Sequence, residues 1–234
     1  MYSSMFTNNI LSKPYCSSQD YMYICLSFQN NNFTTEKTMK KKLYFLILIG
    51  LLAFCTPAKA TLVNIPDANF RAKLQTLFPS CFVGVQMETT CIGITTAIFL
   101  NVERSNIANL GITDLSGIEY FSSLIELRCS GNLLTTLPIL PSSLQQLDCR
   151  TNQLMVLPTL PANLQRLDCQ GNQLITLPSL PSSLQDLYCQ DNQLITLPPL
   201  SSGLQHLNCQ GNQLTTLPPL PASLQWLNCN RHLS

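Results

Sequence analysis

From residue 124 onward the apolar residues recur with a period of twenty. The frame reads L-Q-x-L-x-C-x-x-N-Q-L-x-x-L-P-x-L-P-x-x, and it opens at Leu124, Leu144, Leu164, Leu184, Leu204 and Leu224. The first half of each copy alternates. In the copy at 144–163, Leu147 and Cys149 fall on one face and Gln146, Asp148 and Arg150 on the other. Alternation at period two predicts a half-buried strand. One copy has room for one short strand and a return path, so strands of successive copies lie parallel, about 4.8 Å apart. A period of this size predicts a stacked solenoid, in which each unit buries its apolar face only against its neighbours.

The second half, L-x-x-L-P-x-L-P-x-x, carries two prolines, as at Pro158 and Pro161. They exclude a helix interior and favour extended backbone, so the return side is expected to be free of helix. Asn132, Asn152, Asn172, Asn192 and Asn212 stand where the strand turns away. A side-chain amide there can supply the donors and acceptors that buried turn backbone needs, which makes this asparagine column structural.

The chain before the repeats has a different character. Residues 1–38 show no periodicity and are expected to be a non-native or disordered extension, with Met39 as the true start. Residues 39–60 have the layout of a signal peptide: Met-Lys-Lys-Lys, an apolar run from Leu43 to Cys55, then Ala58-Lys59-Ala60. Cleavage is expected after Ala60. The apolar run is shorter than the roughly 20 residues a membrane-spanning helix needs. Membrane contact is therefore expected only if segment 43–58 is left uncleaved as an anchor. Cys55 follows Phe54, where a small residue would precede a lipidated cysteine. Residues 61–97 are expected to form an N-terminal cap with a helix at about 66–78, since Pro66 suits a first helical turn and Phe70, Leu74 and Leu77 recur at helical spacing. Residues 98–123, with Leu100, Val102, Ile107, Leu110, Ile112 and Leu115, are expected to be irregular entry repeats. Cys81 and Cys91 flank the loop after the helix. In a secreted chain they are disulfide candidates, the alternative being two unpaired thiols in a small cap.

These motifs resemble the leucine-rich-repeat family over about residues 100–234. The L-P-x-L-P-x-x-L-x-x-L form is similar to the short repeats of secreted bacterial effectors. The cap and the I-x-x-L-x-G-I-x-x-F spacing of the entry turn resemble internalin-like surface proteins. The resemblance implies a mostly β, α/β solenoid. Its horseshoe would carry short parallel strands on the concave face, a helix-free extended convex side and one N-terminal cap helix. Residues 124–234 would supply six repeats, the last incomplete. Effectors of this kind often carry a ubiquitin-ligase domain after the repeats, and that activity is not expected of residues 124–234. This chain departs from the family in its cysteines, which stand where Val, Leu or Ile is usual. It also has His232 where the last copy should carry asparagine.

Residues 61–234 hold seven Lys and Arg against ten Asp and Glu, a net charge of −3. No phosphate-tracking surface follows from that balance, and no nucleic-acid partner is expected. Cys129, Cys149, Cys169, Cys189, Cys209 and Cys229 each lie two residues from an inward leucine. They are read as buried free thiols behaving as small hydrophobes, with interstrand disulfides or metal as the alternatives. No C-x-x-C pair or convergent histidine appears, and no metal, cofactor or catalytic residue is expected.

What varies is the outward face. The slot two residues after each opening leucine holds Glu126, Gln146, Arg166, Asp186, His206 and Trp226. Its neighbour two residues on holds Arg128, Asp148, Asp168, Tyr188, Asn208 and Asn228. Arg128, Arg150 and Arg166 can surround Asp148 and Asp168, as a solvated salt-bridge face or, less favourably beside arginines, a calcium site. In the later copies Arg166, Asp186, Tyr188, His206, Asn208 and Trp226 are the candidate ligand-binding residues, since Trp, Tyr and Arg are the side chains most often found as binding hot spots. The expected function is protein binding through the concave face by a secreted or cell-surface module. The alternatives are a carbohydrate-binding or adhesion module, whose aromatic platforms would sit beside Asn, Gln and Asp, and a fragment of a larger effector or surface protein.

Overall fold

The computed structural model describes residues 61–103 and 111–230. The extension 1–38, the signal segment 39–60, Ile107, Leu110 and His232 lie outside the described residues. No helix among the described residues is long and apolar enough to cross a membrane.

The repeats build one parallel sheet. Seven strands stack in chain order: β4 (Phe99–Asn101), β5 (Glu126–Arg128), β6 (Gln146–Asp148), β7 (Arg166–Asp168), β8 (Asp186–Tyr188), β9 (His206–Asn208) and β10 (Trp226–Asn228). Corresponding residues of successive copies face each other, as in Leu147↔Leu167↔Leu187↔Leu207. The register cannot slip, because a shift of one residue would turn every leucine outward. Backbone bonds extend the stack beyond the strands, with Gln165 N donating to Gln145 O at 2.8 Å and Cys149 N to Asp168 O at 2.9 Å. The return side carries no helix between residues 124 and 230. There the residue three before each opening leucine closes a turn. It is a proline in four of the six copies, as where Leu164 N donates to Pro161 O at 3.1 Å, and Ser201 before Leu204.

Two polar columns tie the coils together. Each asparagine serves both its own copy and the one before it. Asn172 Nδ2 donates to Cys169 O at 3.0 Å, Gln170 O at 3.2 Å and Cys149 O at 3.1 Å, while its Oδ1 accepts from Leu154 N at 3.0 Å. The second column is made of serines: Ser143, Ser183 and Ser223 Oγ donate to Leu124 O, Leu164 O and Leu204 O at 2.8, 2.7 and 2.7 Å. Between cysteine and asparagine the chain enters the left-handed region. Gly131, Gly171 and Gly211 occupy that position in three copies, and Thr151 and Asp191 are held there at φ 54° and 56° in the two between.

The core runs without a break from the cap into the repeats. Leu124, Leu127, Leu144, Leu164, Leu184 and Leu204 are fully buried, each contributing about 1.5–3 kcal/mol relative to an exposed side chain. Cys129, Cys149, Cys169, Cys189 and Cys209 are buried free thiols. Burial pushes all five thiols up, Cys209 to about 11, so they stay protonated and apolar in character. Cys229 differs from the expectation of six buried thiols: it is exposed, because no further described strand covers β10.

The cap carries helix α1 (Ala68–Leu77), which buries Phe70 and Leu74. The Asp67 carboxylate accepts from Phe70 N at 2.8 Å and caps the helix. Pro66 is therefore one residue outside the cap rather than in the first turn. The cap also has parts beyond a single helix. A short second helix, α2 (Ile92–Thr95), follows, and β1 (Leu62–Asn64), β2 (Phe82–Val83) and β3 (Gln86–Glu88) form an antiparallel sheet in the order β1-β3-β2. Cys81 and Cys91 are joined by a disulfide.

Candidate functional site: the strand face

Alternation decides which side chains reach the strand face. In each strand the central leucine is turned into the core and its two neighbours are left on the other side. The variable slot thereby becomes a continuous row: Phe99, Glu126, Gln146, Arg166, Asp186, His206 and Trp226, each beside the next across one strand gap. Phe99 extends the row by one copy at the capped end. Its signal lay in F-L-N-V at 99–102, where Leu100 and Val102 are buried and Phe99 and Asn101 alternate with them. Trp226 closes the opposite end with 43% of its surface exposed.

Four of the six candidate residues form one contact group. Arg166 Nη1 lies 3.5 Å from Asp186 Oδ2, and its guanidinium stands over the Tyr188 ring at 4.6 Å. His206 Nδ1 lies 2.6 Å from Asp186 Oδ1. Arg166, Asp186, Tyr188 and His206 are thus one linked group. Asn208 lies beside Tyr188 and Asn228 in the second row. Trp226 is the strand neighbour of His206, and two strand gaps separate it from the Tyr188 copy. The two aromatic residues are therefore separate platforms.

The arginines do not close around the aspartates as a ring. Arg128 turns to Glu126 at 2.6 Å and lies over the Phe99 ring at 5.3 Å. Arg166 is engaged by Asp186 and Tyr188. Arg150 alone pairs with both Asp148, at 3.3 Å, and Asp168, at 4.0 Å. An arginine has several carboxylates and rings within reach, and sequence spacing does not rank them. Burial pushes both the Asp148 and Asp168 carboxyls up, against the opposing pull of nearby backbone N–H groups and arginines. The position after each cysteine, Ser130, Arg150, Gln170, Gln190, Gln210 and Asn230, is glutamine in three copies; there Gln190 and Gln170 hydrogen-bond each other and Asn228 Nδ2 donates to Gln210 Oε1 at 2.6 Å. Among the described residues no group of three His, Cys, Asp or Glu side chains is placed to hold a metal ion.

Comparison with known proteins bears on the repeats that carry this face. The Leucine Rich Repeat family matches residues 163–187 and 203–224. Among solved structures, the chain is similar to a Shigella effector LRR domain at 30% identity, over 67% of this chain and 63% of that one, with a TM-score of 0.54. It is similar to YopM from Yersinia enterocolitica WA-314 at 34% identity, over 58% of this chain and 33% of that one, with a TM-score of 0.50. It shares its fold with the functional domain of InlJ from Listeria monocytogenes, which includes a cysteine ladder. That likeness has 24% identity, covers 74% of this chain and 44% of that one, and has a TM-score of 0.51. The chain thus spans between 33% and 63% of the length of these relatives. No curated protein matches it significantly.

Proposed function

The chain carries a leucine-rich-repeat domain closely resembling those of secreted and surface bacterial proteins, and from that premise we propose that it works outside the cell by binding a partner protein through its strand face. One observation carries the reading. The two slots that change charge and ring character from copy to copy, Glu126 to Trp226 and Arg128 to Asn228, lie on one in-register surface, and the recurring leucines and asparagines are turned into the core and the coil-to-coil ties. A stacked scaffold needs its invariant leucines and asparagines for folding, which leaves the strand face free to differ. The binding residues would be Arg166, Asp186, Tyr188, His206, Asn208 and Trp226. Arg166, Tyr188 and Trp226 are the residue types that most often dominate interface energetics. Arg166 is already oriented by Asp186 and Tyr188, so little freedom is lost when it docks.

The test is a binding screen of the full chain against an array of extracellular protein ectodomains, with a glycan array beside it. The expected result is a protein hit weakened at least tenfold by Tyr188→Ala or Trp226→Ala. A hit on glycans alone, or a protein hit indifferent to both substitutions, would overturn the assignment.

A further inference from the structure

The strand face holds a charge imbalance that its own ion pairs do not close. Glu126 is matched by Arg128 and Asp186 by Arg166. Asp148 and Asp168 are neighbours across one strand gap and share a single cation, Arg150. The Asp168 side chain keeps only 8% of its surface, and its Oδ1 is buried with no hydrogen-bond partner. A pocket of about 510 Å³ opens at this place, lined among others by Glu126, Gln146, Asp148, Arg150, Asp168 and Asp186. That volume lies within the range of small-ligand sites. Its wall carries four carboxylates against three guanidiniums, so one negative charge is uncompensated, and it falls on the aspartate pair.

We propose that this pocket receives one organic cation, the ammonium or guanidinium of a lysine or arginine exposed on the partner protein. The inference rests on the strand face being the protein-binding surface. Two enclosed carboxylates that share one guanidinium are costly to keep charged, and a group carrying one positive charge in the pocket closes that imbalance. An anionic side chain would meet a pocket that is already negative. A divalent metal would have to sit among Arg128, Arg150 and Arg166, and the described residues offer no three-ligand group for it. Burial already disfavours the charged form of both aspartates, so an arriving cation gains more here than at an exposed carboxylate. The occupant is a side chain rather than a free cation because the pocket is open to the same face as Arg166 and Tyr188, where a protein surface would lie across it.

The experiment uses the full chain and short peptides identical except for a central Lys, Arg, norleucine or Glu, with spermidine and calcium chloride as separate additions. Binding is followed by NMR through the amides of Asp148, Arg150 and Asp168. Lys and Arg peptides are expected to shift these amides, and norleucine and Glu peptides to leave them in place. Asp168→Asn is expected to weaken the Lys peptide at least fivefold while its thermal unfolding shows the fold intact. Arg150→Gln, which frees both carboxylates, is expected to tighten it severalfold. An equal response to norleucine, an unchanged affinity in Asp168→Asn, or a response to spermidine or calcium without one to the peptides would each overturn the proposal. The reading of the whole face fails differently, by loss of dependence on Tyr188 and Trp226 in the ectodomain screen. That dependence can persist when the cation site does not.

Discussion

The cap and the repeats reach stability by different means. The cap, over residues 61–97, has no internal copy of itself. It closes with a ten-residue helix, a three-stranded antiparallel sheet and the Cys81–Cys91 disulfide. Its few apolar side chains, such as Ile65, Phe70, Leu74 and Met87, join the core of the solenoid. The repeats have no covalent staple. Each coil is held by the next through leucine contacts, backbone bonds and the asparagine column. A small irregular unit has too little core of its own and benefits from a cross-link. A periodic unit borrows core from both neighbours, so its weak points are the residues that link coils.

The largest effect is expected from breaking such a link. Asn172→Ala removes three donated bonds and one accepted bond shared by two coils. Leaving that buried backbone unsatisfied should cost about 3 kcal/mol or more in denaturant unfolding. A loss below 1 kcal/mol would mean that the column is ornamental to stability. The matching change in the cap is Cys81→Ser with Cys91→Ser, which opens a cross-link of sequence separation 10. Loop entropy puts the loss at about 2–3 kcal/mol. It should appear as early hydrogen exchange in 61–97 with the repeat amides still protected. Equal loss of protection in both regions would erase the contrast.

Smaller effects sharpen the same comparison inside the repeats. Gly211 sits at φ +62°, and an added Cβ would meet the Asp191 carboxylate. Gly211→Ala should cost about 1–2 kcal/mol, read as a lowered unfolding midpoint, even though Thr151 and Asp191 show that the conformation is attainable with a side chain. Asp168→Asn tests the electrostatics. A carboxyl raised in the folded state binds protons that the unfolded chain has released. Its stabilising contribution is therefore full below the ordinary carboxylate range and is lost as pH rises through the raised value. The parent should melt at lower temperature at neutral than at mildly acidic pH from this cause, and the asparagine variant should show a flatter profile. The smallest perturbation is thiol labelling of the native protein. Of the six repeat cysteines, Cys229 should react at once and the five buried ones only on unfolding. Rapid labelling of Cys169 would mean that the middle of the stack breathes.

Much of the repeat architecture was legible in the chain. The twenty-residue period and the L-x-C alternation specify parallel strands with leucine and cysteine inside, and these copies supply β5 to β10 of the sheet. Asn172 could be read as a structural amide, because a buried turn has orphan backbone groups wherever it falls. Other features carried weaker signals. The β2–β3 hairpin turns through Gly84-Val85, a two-residue link with Gly84 at φ +63°, but its strands are too short to show a period. The serine column lies in a segment that reads only as polar loop. Phe99 belongs to an entry copy whose spacing is irregular, so its place in the outward row emerges from the pairing with Glu126.

The sequence by itself determined the coil: its period, its inward residues, its turns and the set of side chains left outside. It could do so because each of these depends on near neighbours in the chain or on the same position one period away. Only the tertiary structure decided which outward side chains meet. Arg128, Arg150 and Arg166 look equivalent in the repeat, yet one takes Glu126, one is shared by Asp148 and Asp168, and one takes Asp186 and Tyr188. Long side chains on a parallel sheet choose among several partners at similar distance. The choice is set by burial and by which rings and carboxylates the adjoining strands bring alongside.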